Sequence, residues 1–497
     1  MAAHLIRTGG DVTIDIAQST WNAKAFSSGW RPLSGEPLPV MEPATGRRLA
    51  EVASAGAKDV EQAAAAAKVA QPGWAGMPFA ARAAIFRRAA MLLEGQFDAF
   101  ADWIVRETGG IRPKAMFELG SVVNHLHEAA AMSTQPRGIV LPSDGPVLSV
   151  AHRVAHGVVG VITPFNFPFL LSSRAVVPAL AAGNAVVLKP DPRTPVSGGI
   201  LLAALFDAAG LPPGVLHVLP GGAEAGEALV ADPSVTMVSF TGSTAVGRRV
   251  GELAGRHLKK VALELGGKNA LIILEDADLD AAVSSGSWAS WLHQGQICMS
   301  AGRHLVHRRI AGEYVARMTE KARAMRVGDP FREAVALGPL ISERQRQRVA
   351  RIVADSIDMG AKLCAGGISR ELFYDATVLD EVSPRMPAFR EEIFGPVVSV
   401  TAFDSDDEAV ALANDTEYGL SAGILTASLA RGMAIARRLN VGLVHINDQT
   451  VNDDGFMPMG GRGASGNGSR HGGPANWDEF TQWQWTTYRD TPPTYPL

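Results

Sequence analysis

The sequence predicts an α/β protein of two doubly wound domains, and three observations lead there. From Gly157 onward, short β-branched stretches alternate with helical ones, the order that builds a mostly parallel sheet. Residues 158–162 and 185–188 are apolar at almost every position, as strands covered on both faces by helices must be. A second alternating series begins at Asn269, and 497 residues are too many for one simple core.

The elements follow in order. Residues 1 to about 56 are mixed and loop-rich, a covering segment. Residues 58–71 are Ala-rich and helical, with Pro72-Gly73 as the stop. Helices at 79–94 and 96–108 come next, with Ile85, Ala89 and Leu92 on the buried stripe. The first series then reads strands at 158–162, 185–188, 215–219 and 235–240, with helices at 197–208, 223–231 and 245–254. The second reads strands at 270–274, 305–306, 397–402, 422–425 and 442–446. Its helices lie at 278–293, 312–325, 405–413 and 429–439. The two domains meet near residues 264–269, with no fixed-period repeat and no low-complexity linker between them. The tail from Trp477 carries Phe480, Trp483, Trp485 and Tyr488, too much aromatic surface for a free edge strand in water.

Composition narrows the function. A net charge of -4 offers no footprint for nucleic acid, and the basic run 344–351 reads as a solvated helix face. Pro178, Gly183 and Asn184 interrupt the apolar run 175–188, so nothing here spans a membrane. Residues 1–16 lack the apolar core of a signal peptide. Two cysteines without a framework fit a reducing compartment. A cytoplasmic enzyme is expected, with neither nucleic acid nor membrane as partner.

Chemistry gathers at a few loops. Cys298 lies in QGQICMSAGR (294–303), a Gly-flanked connection between a helix and a strand, where a reactive group can meet a ligand. Taken alone, a single cysteine is more often an inert small hydrophobe. The segment 240–247, FTGSTAVG, joins a strand to a helix. Gly242 permits close backbone approach there, and Ser243 and Thr244 supply caps beside N–H groups that suit a phosphate. Its glycine spacing departs from GxGxxG, so an ordinary capped turn is an equal reading. Lys189 ends a strand at the sheet edge where open α/β folds bind ligands, or is a surface lysine. Glu264 stands before Gly266 and Gly267, and Asn166 sits in PFNFP (164–168). Each is unremarkable singly; together they supply a nucleophile, a base, an amide donor and a phosphate turn.

In combination, PFNFP, LKP, FTGSTAVG, LELGGK, QGQICMSAGR and EEIFGPV resemble the aldehyde dehydrogenase superfamily, from about residue 20 to the C-terminus. Within it, WIVRETGGIRPK, HINDQ and the terminal TYPL are most similar to benzaldehyde dehydrogenases. The resemblance implies a Rossmann-like cofactor domain (1–134 and 154–263), a catalytic domain (264–463) and a small β oligomerisation element (135–153 and 464–497). It implies a homodimer or homotetramer that oxidises an aromatic aldehyde with NAD or NADP. Cys298 would be the nucleophile, Asn166 with the Cys298 N–H the oxyanion donors, and Glu264 the base that hydrolyses a thioester. Cationic or helix-terminal surroundings are expected to favour the Cys298 thiolate.

Lys189 and Glu392 would hold the riboses, Ser243 the pyrophosphate, and Phe394 the nicotinamide. The same resemblance gives the cofactor site Ile162, Thr163, Pro164, Phe165, Pro192, Arg193, Gly222, Gly242, Val246, Leu265 and Gly266. The aldehyde pocket would draw on Phe167, Met299, Phe456 and Met459, with Arg174, odd for an apolar channel, at its wall. Two positions depart from the family pattern. Pro192 replaces a frequent Glu, and Arg193 beside it could attract a 2′-phosphate, which admits NADP. Phe165 replaces a frequent Trp and keeps an aromatic wall. An acylating dehydrogenase that uses coenzyme A would not need Glu264. A purely binding relative would not need Cys298, Asn166 and Glu264 together. Vanillin, salicylaldehyde or an aliphatic aldehyde are the alternative substrates.

Overall fold

The apolar runs of the first series lie side by side in one seven-stranded sheet of the computed structural model, which describes residues 14–496. The reading made on residues 1–16 therefore falls largely outside the described residues, as does Leu497. In spatial order the parallel strands are Lys260–Glu264, Val235–Thr241, Val158–Ile162, Ala185–Lys189 and Leu216–Val218. Chain order reverses beside Val158–Ile162, which makes a crevice at the carboxyl ends. Register aligns those ends: Ile162 pairs with Lys189 and with Phe240, and Thr241 pairs with Glu264. One sheet edge thus collects four of the expected site segments.

The second series forms another seven-stranded sheet. Its order is Lys362–Ala365, Thr377–Asp380, Val397–Phe403, Ala301–His307, Asn269–Ile273, Ser421–Leu425 and Leu443–Ile446. All neighbours are parallel except Lys362–Ala365, which pairs antiparallel to Thr377–Asp380. The basic run lies on the helix Glu343–Asp358, which buries Val349, Ile352 and Val353 and exposes Arg344, Arg348 and Arg351.

Several expectations change. The loop-rich N-terminal segment contains the short strands Ala25–Ser27 and Trp30–Arg31, which extend the first sheet antiparallel beside Leu216–Val218. It also holds a hairpin of Gly35–Met41 with Arg48–Ser54. Strands of two or three residues are too short to show alternation, and Pro37 and Pro39 mask the longer one. The first helix expected from the sequence runs Ala57–Ala75, through Pro72. Its last turn is pinned from outside, with Gln71 Nε2 donating to the Gly183 carbonyl and Trp74 Nε1 to that of Leu180, both at 2.9 Å. These tertiary bonds offset the ladder bond that proline cannot make.

Two long helices had no sequence counterpart. Arg112–Met132 buries Lys114 and Glu118 among its apolar residues, which blurs the stripe, and Pro168–Ala181 is buried all round. Among the described residues, no helix is long and apolar enough to cross a membrane.

The tail forms the strand Thr481–Tyr488, antiparallel to Leu148–Ala155, which pairs in turn with Gly138–Leu141. Its aromatics divide. Trp477 and Phe480 are buried in the subunit's own core, while Trp483, Trp485 and Tyr488 are exposed. Asn184 Nδ2 donates to the Phe480 carbonyl at 2.9 Å, tying the tail to the first sheet. Truncating this buried ring in Phe480→Ala is expected to cost about 3–5 kcal/mol, read by denaturant melts. A loss below about 1 kcal/mol would show that the tail is not anchored there.

Candidate active site

Cys298 is delivered by a strained turn. The helix Leu279–Trp291, capped where Asp278 accepts the Ala281 N–H at 3.0 Å, ends two residues short of His293. His293, Gln294 and Gly295 then take φ of 49°, 56° and 65°, three left-handed residues in succession. For the two non-glycine residues this costs about 1–2 kcal/mol each, so something must hold them. Gln294 Nε2 donates to the carbonyls of Gly109 (2.7 Å) and Pro339 (2.9 Å), and Gln296 Oε1 accepts the Ile341 N–H at 3.0 Å. Asn269 Nδ2 donates to the Cys298 and Ser300 carbonyls, both at 2.8 Å. The cysteine loop is therefore fastened from three separate segments, around Gly109, Pro339–Ile341 and Asn269.

The aligned strand ends open into a cleft of about 1080 Å³. It is lined by every expected cofactor residue: Ile162, Thr163, Pro164, Phe165, Lys189, Pro192, Arg193, Gly222, Gly242, Ser243, Val246, Leu265, Gly266, Glu392 and Phe394. Ser243 stands at the N-cap of the helix Thr244–Arg256 and makes no side-chain capping bond, leaving its hydroxyl and the helix N–H groups for an anion. Lys189 Nζ donates to the carbonyls of Gly221 (2.9 Å) and Pro190 (3.2 Å) and keeps one proton for a ligand. Half-buried Glu392 accepts the Gly267 N–H at 3.1 Å, and desolvation raises its carboxyl to about 7. At Gly266 a Cβ would stand 2.4 Å from the Glu392 carboxylate, so a side chain there would push that carboxylate aside.

Phe165 and Phe394 meet edge to face at 5.8 Å, with Phe394 itself at φ 56°. An anion-binding helix end, a lysine with a proton to give, a carboxylate and an aromatic wall fit a nicotinamide dinucleotide. Arg193 is already engaged: its fork binds both Asp191 oxygens, at 2.8 and 2.6 Å, and stacks 4.1 Å over Phe165. The guanidinium that the sequence offered to a 2′-phosphate is thus paired with a carboxylate.

Asn166, Glu264 and Cys298 line the same cleft. Asn166 precedes the helix Pro168–Ala181, whose Phe169 and Leu170 N–H groups donate to Glu118 at 3.2 and 3.4 Å. Glu118 is held in turn by a fully buried ion pair with Lys114. Glu264 is only 2% exposed, and neither of its carboxylate oxygens has a partner. Burial pushes its carboxyl up to about 8, opposed by Arg174 and Arg470. The Cys298 residue keeps some surface open to the cleft, yet burial of the thiol pushes it up to about 12, with Arg174 the chief opposing charge. The cationic neighbour expected of a reactive thiol is present; the helix N-terminus is not.

The five aldehyde-pocket residues do not line this cleft. Arg174 and Met459 come together, the guanidinium Nη1 lying 3.1 Å from the sulfur. Phe167 is buried edge-on against His293 at 5.6 Å, with Lys114 Nζ 4.4 Å over its ring. Met299 is buried, its carbonyl accepting from Thr450 Oγ1 at 2.7 Å, and Phe456 is 40% exposed. Sequence reasoning missed Asp453, which accepts from Arg174 Nη1 at 2.9 Å, and Asn269. An unexplained cation in an apolar helix was the signal for an acidic partner; Asn269 left none, being one polar residue at a strand start.

A thiol that shares one cleft with groups that fit a dinucleotide marks a nucleotide-dependent oxidoreductase. The chain belongs to the aldehyde dehydrogenase family, whose profile matches residues 30–486. It is 53% identical over 478 residues to a vanillin dehydrogenase of Amycolatopsis sp., covering 96% of this chain and 98% of that protein. To a benzaldehyde dehydrogenase [NAD(+)] of Pseudomonas putida it is 52% identical over 481 residues, covering 97% and 99%. Among solved structures, an E. coli NADP dependent enzyme superposes with a TM-score of 0.92 at 31% identity, covering 95% and 99%. An NAD+ complex of aldehyde dehydrogenase from Bacillus cereus gives 0.91 at 34% identity, covering 94% and 96%.

At Gly295 a Cβ would stand 2.2 Å from the Gly395 carbonyl oxygen, on backbone that already favours glycine. Gly295→Ala is expected to cost more than about 2 kcal/mol and to disturb the cysteine loop, read by melting and by iodoacetamide labelling of Cys298. Unchanged stability and labelling would show that the turn is not strained.

Proposed function

We propose that the protein oxidises a benzaldehyde-like aromatic aldehyde to its carboxylic acid with NAD, and to a lesser degree NADP, as acceptor. The observation that carries this is the unpartnered Glu264 carboxylate in the same cleft as Cys298 and Asn166. A buried carboxylate with no bond to break is free to take a proton. The names of the vanillin and benzaldehyde dehydrogenases to which the chain is similar support an aromatic substrate.

The Cys298 thiolate attacks the aldehyde carbon, and the carbonyl electrons move onto oxygen, where the Asn166 amide and the Cys298 N–H receive the charge. A bound nicotinamide would supply the hydride acceptor. The carbonyl re-forms as a thioester on Cys298. Glu264 takes a proton from water as its oxygen attacks that thioester. The C–S bond breaks, the acid leaves, and the thiolate is regenerated. Because burial holds the Cys298 thiol so high, Glu264 also serves as the base that removes the thiol proton. Ser243 would hold the pyrophosphate, Lys189 and Glu392 the riboses, and Phe394 would pack by the nicotinamide.

In this reading residues 1–134 and 154–263 serve the cofactor and 264–463 the aldehyde. Residues 135–153 and 464–497 serve association as a homodimer or homotetramer, which the exposed Ile139, Val140, Trp483 and Trp485 support. Two unpaired cysteines support the cytoplasm.

Cys298→Ala should abolish oxidation and leave NAD binding intact. Glu264→Gln should slow the burst of reduced cofactor at neutral pH; raised pH should restore it to near one equivalent while steady turnover stays slower by about 10²–10⁴-fold, with the aroyl group on Cys298 by mass spectrometry. The carboxylate is the active form, so wild-type turnover should rise with pH through about 8. Turnover by Glu264→Gln at the wild-type rate, or restored by coenzyme A, would point to another base or acyl acceptor.

Pro192→Glu places a carboxylate beside the 2′-phosphate site. It should weaken NADP about tenfold and NAD little, by fluorescence titration. Equal changes would show that this loop does not meet the adenosine ribose.

A further inference from the structure

Arg174 is the only charged residue of the helix Pro168–Ala181, and it is 5% exposed. Its Nη1 donates to Asp453 Oδ2 at 2.9 Å and lies 3.1 Å from the Met459 sulfur. The next residue, Gly460, abuts the catalytic carboxylate: a Cβ there would stand 2.8 Å from Glu264 Oε1. So the ion pair touches the side chain of one residue, and Glu264 touches the backbone of the next. Glu264 has no hydrogen bond through which to be steadied, and only charges at a distance act on it.

Those charges come from several elements. Arg174 acts on Glu264 more strongly than Arg470, and both oppose Asp453 and Glu479. Glu479 is offset by Lys260, 3.4 Å away, and Arg470 Nη1 spends its protons on the carbonyls of Ser469 (2.7 Å) and Gly461 (3.1 Å). His125 and His471 also lie near Arg174, but burial pushes them down to about 4 and about 3, so they are neutral at pH 7. At Cys298 the opposing influences are Glu392, Glu264 and Asp453, and Arg174 again outweighs each. Arg174 is thus the leading cation at both reacting groups.

We propose that Arg174 is a positioning residue, the fixed positive charge of the active site, which Asp453 holds beside Glu264 and Cys298 and whose field Asp453 moderates. This role rests on Cys298 as nucleophile and Glu264 as base. A cation there favours the anionic forms of both groups without donating a hydrogen bond that catalysis would have to break.

The test uses the sign of an effect. Arg174→Met and Asp453→Asn both destroy the ion pair, so a merely structural pair would respond to them alike. The electrostatic role demands opposite responses, because one change removes the positive charge and the other unmasks it. Full-length variants are assayed for the pH dependence of turnover with benzaldehyde and NAD, and for the rate of Cys298 alkylation by iodoacetamide.

Arg174→Met should move the acid limb up by about one pH unit and slow alkylation at pH 7 about tenfold. Asp453→Asn should move the limb down by roughly half a unit and speed alkylation, and Arg174→Lys should stay close to wild type. Shifts in the same direction, or none, overturn the proposal. Where Arg174→Met fails to fold, Asp453→Asn decides alone: a downward shift supports the role, and an unmoved or upward limb overturns it. Turnover retained by Cys298→Ala or Glu264→Gln removes the underlying reading and this role with it. Inactive Cys298 and Glu264 variants with unmoved pair profiles remove this role alone.

Discussion

One buried carboxylate without a partner is the constraint around which the site is arranged. Taking a charged group out of water costs several kcal/mol unless the protein supplies partners, and elsewhere this chain supplies them. Lys114 faces Glu118, and Glu107 accepts from the Val196 and Ser197 N–H groups at 2.9 and 2.6 Å. Arg303 is spent on the carbonyls of Lys268, Leu412 and Ala413. Glu264 alone among these is left with both oxygens unbonded. A carboxylate locked by N–H donors would be a poor base, so the cost of leaving it bare is the condition of its proposed use.

The second requirement is rigidity at the sulfur. Three left-handed residues before Cys298 would relax to ordinary helix if they were free. Gln294 and Gln296 tie them to Gly109 and to the 339–341 segment, and Asn269 ties the loop to the first residue of its neighbouring strand. The strain sits where side chains from separate segments over-determine the backbone. The same strand-end geometry fixes Glu264, whose position opposite Thr241 follows from sheet register.

Much of this was legible in the residues. The strand–helix alternation of both sheets followed from apolar runs and turn residues, because local period and local chain reversal are what sequence encodes directly. The cleft residues were legible because they sit at strand ends in short motifs. Other features rest on distant partners. The helix through Pro72 is held by the carbonyls of Leu180 and Gly183, and the strands near Ala25 by Leu216–Val218. The helix Arg112–Met132 hid behind a buried ion pair that looks like a polar face.

The sequence by itself determined the α/β order and the cleft-bordering loops that carry the Cys298 thiol, the Asn166 amide and the Glu264 carboxylate, since these depend on residue type and near-neighbour spacing. Only the tertiary structure decided how those groups behave. Whether Arg193 is free or tied to Asp191, and whether Arg174 stands alone or faces Asp453, depends on side chains meeting in space. The aromatic wall residues divide the same way, with Phe167 in the core and Phe456 at the surface. Burial and charge pairing are sums over the whole fold, and no local spacing contains them.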